Sequence, residues 1–197
     1  MLAAAAISAG CVYSIPEPML VREPRPEPIP IRIGVYWSPE FRSFIYRPHH
    51  LDGYALGKPS VRLLSDALAL LFIEVVEVPR PGSGPSLRGD LAGTIEPRIV
   101  SAARVLFSAE PVEAGTIVQP VHITYGFTVY SPLGEPVASW EVTGRGNEPV
   151  GNPLDAFSTL KRNFHHAMRE AAWRFTSGFR DVAEVRRWLD EQVVHKD

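Results

Sequence analysis

Val121-His122-Ile123-Thr124-Tyr125-Gly126-Phe127-Thr128-Val129-Tyr130 is followed by Ser131-Pro132-Leu133-Gly134, and the chain returns through Val137-Ala138-Ser139-Trp140-Glu141-Val142-Thr143. Val121, Ile123, Tyr125, Phe127 and Val129 recur at every second position, the period of a strand with one apolar face. Proline and glycine in the intervening stretch are turn residues. The reading is a hairpin, with a strand over 118–130 and its partner over 137–143. An apolar sheet face must be covered, and two segments have the pattern to cover it. In 61–72, Val61, Leu64, Leu68 and Leu71 form a stripe that Leu63, Ala67 and Leu70 widen. After Asn152-Pro153, a cap and a first-turn proline, Phe157, Leu160, Phe164, Met168, Ala171 and Phe175 recur at helical spacing. Asp181-Val182-Ala183-Glu184 opens a last short helix, with Val182, Val185, Trp188 and Leu189 as its apolar side.

Working outward, Ile31 to Trp37 alternates as a strand, 38–40 is a turn, and 41–46 is a second short strand. A loop follows over 48–59, with Ser60 as the helix cap. Residues 73–78 are β-branched and strand-like, 79–92 form a Gly/Pro/Ser loop, and 93–107 is a long strand in which Pro97 marks an edge or bulge. Gly144-Arg145-Gly146-Asn147 lacks the spacing and lysine of a phosphate loop and reads as a sheet-ending turn at positive φ. The order β-β-α-β-β-β-β-α-α predicts an α+β fold, a mostly antiparallel sheet with amphipathic helices packed on one face.

Cys11 is the only cysteine, so no intramolecular disulfide forms. Small and apolar residues precede it, ending Ser8-Ala9-Gly10, and this order resembles the end of a bacterial lipoprotein signal peptide. Ser8 stands where that pattern prefers leucine, and no Lys or Arg precedes the apolar run, so 1–11 reads as a partial signal with Cys11 as the acylated (palmitate-bearing) residue. Residues 12–30 carry Pro16, Pro18, Pro24, Pro26, Pro28 and Pro30, which argue against helix or sheet and for an extended spacer. The expected organisation is 1–11 signal, 12–30 linker and 31–197 one periplasmic domain. By the sorting rules such lipoproteins follow, Val12 points to the outer membrane, facing the periplasm. No other stretch has the ~20 apolar residues of a membrane span.

A formal net charge of −2 gives no drive toward nucleic acid. Ser158-Thr159-Leu160-Lys161 matches S-x-x-K, but the partner motifs of that chemistry are missing, so a surface serine and lysine are expected and no catalytic residue is assigned. His49-His50 and His165-His166 are adjacent pairs; on a helix neighbours diverge by about 100°, so neither these nor His122 predicts a metal site, and no cofactor is expected. The C-terminal helices are locally basic, and Lys161, Arg162, Arg169 and Arg174 are candidate contacts to lipid head groups, lipopolysaccharide phosphates or an acidic partner, against an ordinary solvated face. Tyr36, Trp37, Phe41, Phe44 and Tyr46 are a candidate partner-binding surface; equally, alternate positions of a strand pair belong to the core.

The lipobox Ala9-Gly10-Cys11, the proline-rich stretch, the strand 31–37, the helix-to-strand run 63–78 and the hairpin 124–144 together resemble uncharacterised proteobacterial outer-membrane lipoproteins. More distantly they are similar to lipopolysaccharide-assembly lipoproteins of the LptE type. The resemblance implies a non-catalytic accessory or assembly subunit of an envelope complex, binding an outer-membrane protein complex or lipid. Two alternatives stand beside it: a self-assembling structural subunit of a trans-envelope machine, joined by edge strands, and an envelope hydrolase.

Overall fold

The computed structural model describes residues 11–16, 27–48, 52–82, 91–104, 117–118, 120–150 and 156–194. In chain order the elements are β1 (Cys11–Ser14), β2 (Ile29–Val35), α1 (Pro39–Arg42), β3 (Ile45–Tyr46), β4 (Asp52–Ala55), α2 (Gly57–Leu71), β5 (Phe72–Glu77), β6 (Thr94–Arg104), β7 (Ile117–Val118), β8 (Val121–Tyr130), β9 (Pro136–Gly146), β10 (Pro149–Val150), α3 (Ala156–Gly178) and α4 (Ala183–Val194).

The expected hairpin is the centre of the molecule. β8 pairs antiparallel with β9, Phe127 facing Trp140, and on its other side with β6, Phe127 facing Pro97. The full sheet runs β5-β2-β6-β8-β9. The α+β class and the one-sided helical cover hold. The sequence pattern did not reveal that β2 lies parallel to both neighbours. Parallel pairing of β2 with β5 needs a crossover, and α2 supplies it. Pro97 sits beyond Ile95, where β2 leaves β6, so no strand on that side requires its missing N–H.

The odd-numbered residues of β8 are buried, together with Ile31, Ile33 and Val35 of β2 and Ile95 of β6. Over them lie Leu63, Leu64, Ala67, Leu68 and Leu71 of α2 and Leu160, Phe164, Ala167, Met168, Ala171, Ala172 and Phe175 of α3. Inside this layer the Ser60 and Tyr125 hydroxyls share a 2.7 Å hydrogen bond, and burial raises the Tyr125 pKa. The opposite sheet face is polar. There Thr124 meets Thr143 at 2.9 Å, the Tyr130 hydroxyl donates to Glu96 at 2.7 Å, and Arg32 forks onto Glu74. The Arg32 guanidinium holds the Glu74 carboxyl below its ordinary range, and burial with the Glu96 bond raises Tyr130 to about 12.

Several local expectations are corrected. Residues 38–42 are not a turn leading into a strand: the Ser38 hydroxyl accepts the Phe41 N–H and Pro39 takes the first helical position, which nucleates α1. The strand over 41–46 shrinks to β3. The loop 48–59 contains β4, and α2 starts at Gly57, so Ser60 lies inside the helix with its hydroxyl turned to Tyr125 rather than capping. Pro120 separates β7 from β8 where one strand was expected. Gly144 and Gly146 lie within β9, and positive φ occurs only at Gly82 and Gly134 among the described residues. Their role is close approach: a Cβ on Gly144 would collide with the Ala167 carbonyl and the Ala171 amide, and one on Gly146 with Asn163. The expected α3 start at Asn152-Pro153 lies outside the described residues.

The proline argument against any sheet over 12–30 fails at both ends. Val12 and Tyr13 precede the first proline, and β1 pairs parallel with β4, Cys11 against Asp52 through Ser14 against Ala55. Ile15 is buried. At the other end the Glu27 carbonyl accepts from Arg180 at 2.8 Å, and β2 already begins at Ile29. Both flanks therefore pack on the body, and the extended-spacer reading of 17–26 lies outside the described residues.

Candidate functional site

Parallel pairing with β4 puts Cys11 at an exposed corner of the small sheet β1-β4-β3. Tyr13, two residues on, shares its side of the strand. The Asp52 carboxylate, joined by the Cys11 thiol, interacts with the Tyr13 hydroxyl and raises its pKa. The Tyr13 ring meets Phe157, in the first turn of α3, edge-on at 4.3 Å. Lys161, one turn further along, holds its ammonium 4.7 Å from the Phe157 ring centre and 5.5 Å from that of Tyr13. Val12 (46%) and Phe157 (40%) are among the large apolar side chains left exposed. Behind them Tyr54, Tyr46 and Phe164 continue the rings into the core. Tyr13 and Asp52 were not singled out from the sequence, and Phe157 was read only as part of a core stripe. The signal lay in Phe157, a member of an otherwise buried helical stripe that stands one turn beyond where the core ends.

The basic residues of α3 divide. Lys161 joins this corner. Arg162 donates to Glu148 at 2.9 Å and to the Thr159 hydroxyl at 2.9 Å. Arg174 is paired with Glu170 at 2.6 Å. Arg169 lies by His165, whose pKa is lowered by burial first and then by the Arg169 and His166 charges. Glu148 is the hub of the middle group. Its carboxylate takes Arg162 on one oxygen and His166 Nε2, at 2.7 Å, on the other. Its backbone N–H donates to the buried Asn163 Oδ1, and Asn163 Nδ2 donates back to its carbonyl. The Arg162 bond holds the Glu148 carboxyl below its ordinary value of 4.5.

A depressed carboxyl pKa stabilises the fold above the unfolded value, and that share is lost as pH falls through the folded one. His165 acts in the same sense below its ordinary 6.5, because the unfolded chain takes up the proton more readily. Glu148→Gln is expected to lower stability by about 0.5–1 kcal/mol at neutral pH, the scale of a partly exposed ion pair. The deficit should close below the ordinary carboxylate range, where Glu148 itself protonates; urea midpoints of both proteins against pH check this.

Of the aromatic set, Trp37 and Phe41 are buried and stack on each other at 5.4 Å. Tyr36, Phe44 and Tyr46 are half-buried, and the Tyr46 hydroxyl accepts the Arg104 N–H at 3.0 Å. The structure does not bring the five together as one exposed patch. His49-His50 lies outside the described residues. No group of three or more potential metal ligands occurs among the described residues. Ser158 is exposed, while the Lys161 ammonium rests over rings. No described helix is long and apolar enough to cross a membrane.

No protein-family model and no curated protein matches the chain. Solved structures do. A Xanthomonas campestris protein of family DUF330 aligns with TM-score 0.51 and 15% identity over 93% of this chain and 99% of its own. A neuraminyllactose-binding hemagglutinin homologue from Helicobacter pylori aligns with TM-score 0.55 and 10% identity over 85% and 92%. A minor lipoprotein from Acinetobacter baumannii aligns with TM-score 0.46 and 8% identity over 79% and 94%. The likeness is one of fold. Most of the α+β body is shared with the Xanthomonas and Helicobacter proteins.

Proposed function

We propose that this protein is a lipid-anchored envelope lipoprotein acting as a non-catalytic accessory or assembly subunit, held to the periplasmic side of the outer membrane through Cys11. One observation carries the anchor. The sole cysteine, preceded by Ala9-Gly10, stands exposed at the first residue of β1. A processing enzyme can reach it, and modifying its thiol removes nothing from the core. The accessory role, with an outer-membrane protein complex or lipid as partner, and the distant likeness to LptE-type lipoproteins rest on the sequence features set out above.

The test is metabolic labelling of the native protein with a clickable fatty acid, beside Cys11→Ala. Label in the parent, no label in the variant and release of the variant from washed membranes are expected. A parent that carries no acyl group, with the variant equally retained, overturns the proposal. Crosslinking the anchored parent in cells and identifying what co-purifies tests the partner.

A second reading, the self-assembling subunit, is favoured by β9. Its outer edge has no partner strand among the described residues, and unpaired edges invite pairing between copies. Concentration-dependent assembly in sedimentation would support it, and a monomer throughout would remove it.

A further inference from the structure

We propose that the corner formed by Cys11, Tyr13, Phe157 and Lys161 lies directly on the phospholipid interface, so that the domain sits flush on its membrane with no spacer between anchor and body. This rests on the acylated Cys11 proposed above and adds where the bilayer surface falls.

The argument is one of reach. Cys11 is itself in register, paired with Asp52 of β4, so no free residue separates an acylated thiol from the fold. At about 3.3 Å per strand residue, Tyr13 lies about 7 Å from Cys11, and the Tyr13 ring is 4.3 Å from Phe157. The head-group layer on each side of a bilayer is about 5–8 Å deep, comparable with that separation. Acyl chains on Cys11 would therefore draw these side chains into the same layer.

Their chemistry suits it. Tyrosine and other amphipathic rings favour the head-group level. Lysine lays its stem along apolar surface and keeps its charge toward lipid phosphates. Phe157 is an exposed apolar side chain that solvent does not favour. Among the described residues Asp52 brings a carboxylate to the corner, where it interacts with the Tyr13 hydroxyl. Arg162 and Arg174, by contrast, are engaged by Glu148 and Glu170, whereas Lys161 holds its ammonium over the rings of this corner.

The sole cysteine makes a direct test possible. The full chain is coupled through Cys11 to vesicles of phosphatidylethanolamine and phosphatidylglycerol carrying a maleimide phospholipid. The reference is protein capped with N-ethylmaleimide on the same lipids. Amide hydrogen exchange in 12–16 and 157–161 is expected to slow several-fold on coupling, with 139–143 on β9 unchanged. Phe157→Ser with Lys161→Glu should couple equally well and lose the slowing. So should a Gly/Ser insert of about ten residues after Cys11, with a reach of about 17 Å.

Equal exchange in coupled and capped protein overturns the proposal, as does free-chain exchange of 12–16 in both, which would mean β1 is undocked. Because the coupling is chemical, these outcomes do not depend on whether cells acylate Cys11. A negative result here leaves the anchor standing, and absence of acylation in cells is read separately.

Discussion

Gly144→Ala is expected to destabilise the protein by about 3 kcal/mol, at the upper end of overpacking effects, and to lower its melting temperature by about 6–12 °C for a chain of this size. The cause is a backbone-to-backbone contact. Asn163, Ala167 and Ala171 lie four residues apart on α3 and form a ridge of small side chains. That ridge rests on Gly144 and Gly146 of β9, where an added Cβ would meet the Ala167 carbonyl and the Ala171 amide. A flexible side chain could swing aside, but a helix backbone cannot. Two hydrogen bonds flank the contact and hold the helix at this height: Arg145 N–H to Glu170 and Glu148 N–H to Asn163. A methyl group at Gly144 would push the helix out and strain both. Gly178→Ala is the control, because a Cβ there meets nothing within 4 Å, and its effect should stay within about 1 kcal/mol. Thermal melts of both variants decide. A Gly144→Ala protein as stable as the parent would mean that α3 does not pack here as described.

Phe127→Ala is expected to cost about 3–5 kcal/mol, a large share of the total stability of an ordinary domain. Phe127 sits on the buried face of the central hairpin at 1% exposure. Its ring stacks on Phe175 of α3 at 4.2 Å and on Trp140 of β9 at 5.5 Å, and Phe179 closes the cluster against Trp140 at 5.7 Å. Removing it leaves a cavity between sheet and helix that rigid neighbours cannot fill. Phe127→Leu, which keeps most of the volume, should lose less than half as much. Urea unfolding should show a lowered midpoint with an unchanged slope, and near-ultraviolet circular dichroism should change because Trp140 loses its stacking partner. An unchanged midpoint for Phe127→Ala would remove this cluster as the joint between hairpin and α3.

The hairpin, α2 and α3 were legible because each declares itself by period. Every second residue of 121–129 is apolar, and the stripes of the two helices follow helical spacing. The α+β class follows from those three segments. The stripe residues Phe164, Met168, Ala171 and Phe175 all reach the core. Less legible were elements made by pairing with something distant. β1 lies in a stretch dominated by prolines and exists because β4, some forty residues away, offers it an edge. α1 was read as a turn over 38–40 leading into a strand, although behind a serine cap its proline is a first-turn residue. The glycines of β9 suggested positive φ; the helix against them is visible only once the chain is folded.

By itself the sequence determined the fold class, the hairpin at its centre, the helical faces that cover it and the identity of the one cysteine, because these depend on local spacing and residue type. Only the tertiary structure decided that Cys11 is part of a strand, that Tyr13 meets Phe157 and Lys161 beside it, and that Arg162 spends its charge on Glu148. Those facts depend on which side chains meet across long separations in the chain, and no local period encodes that.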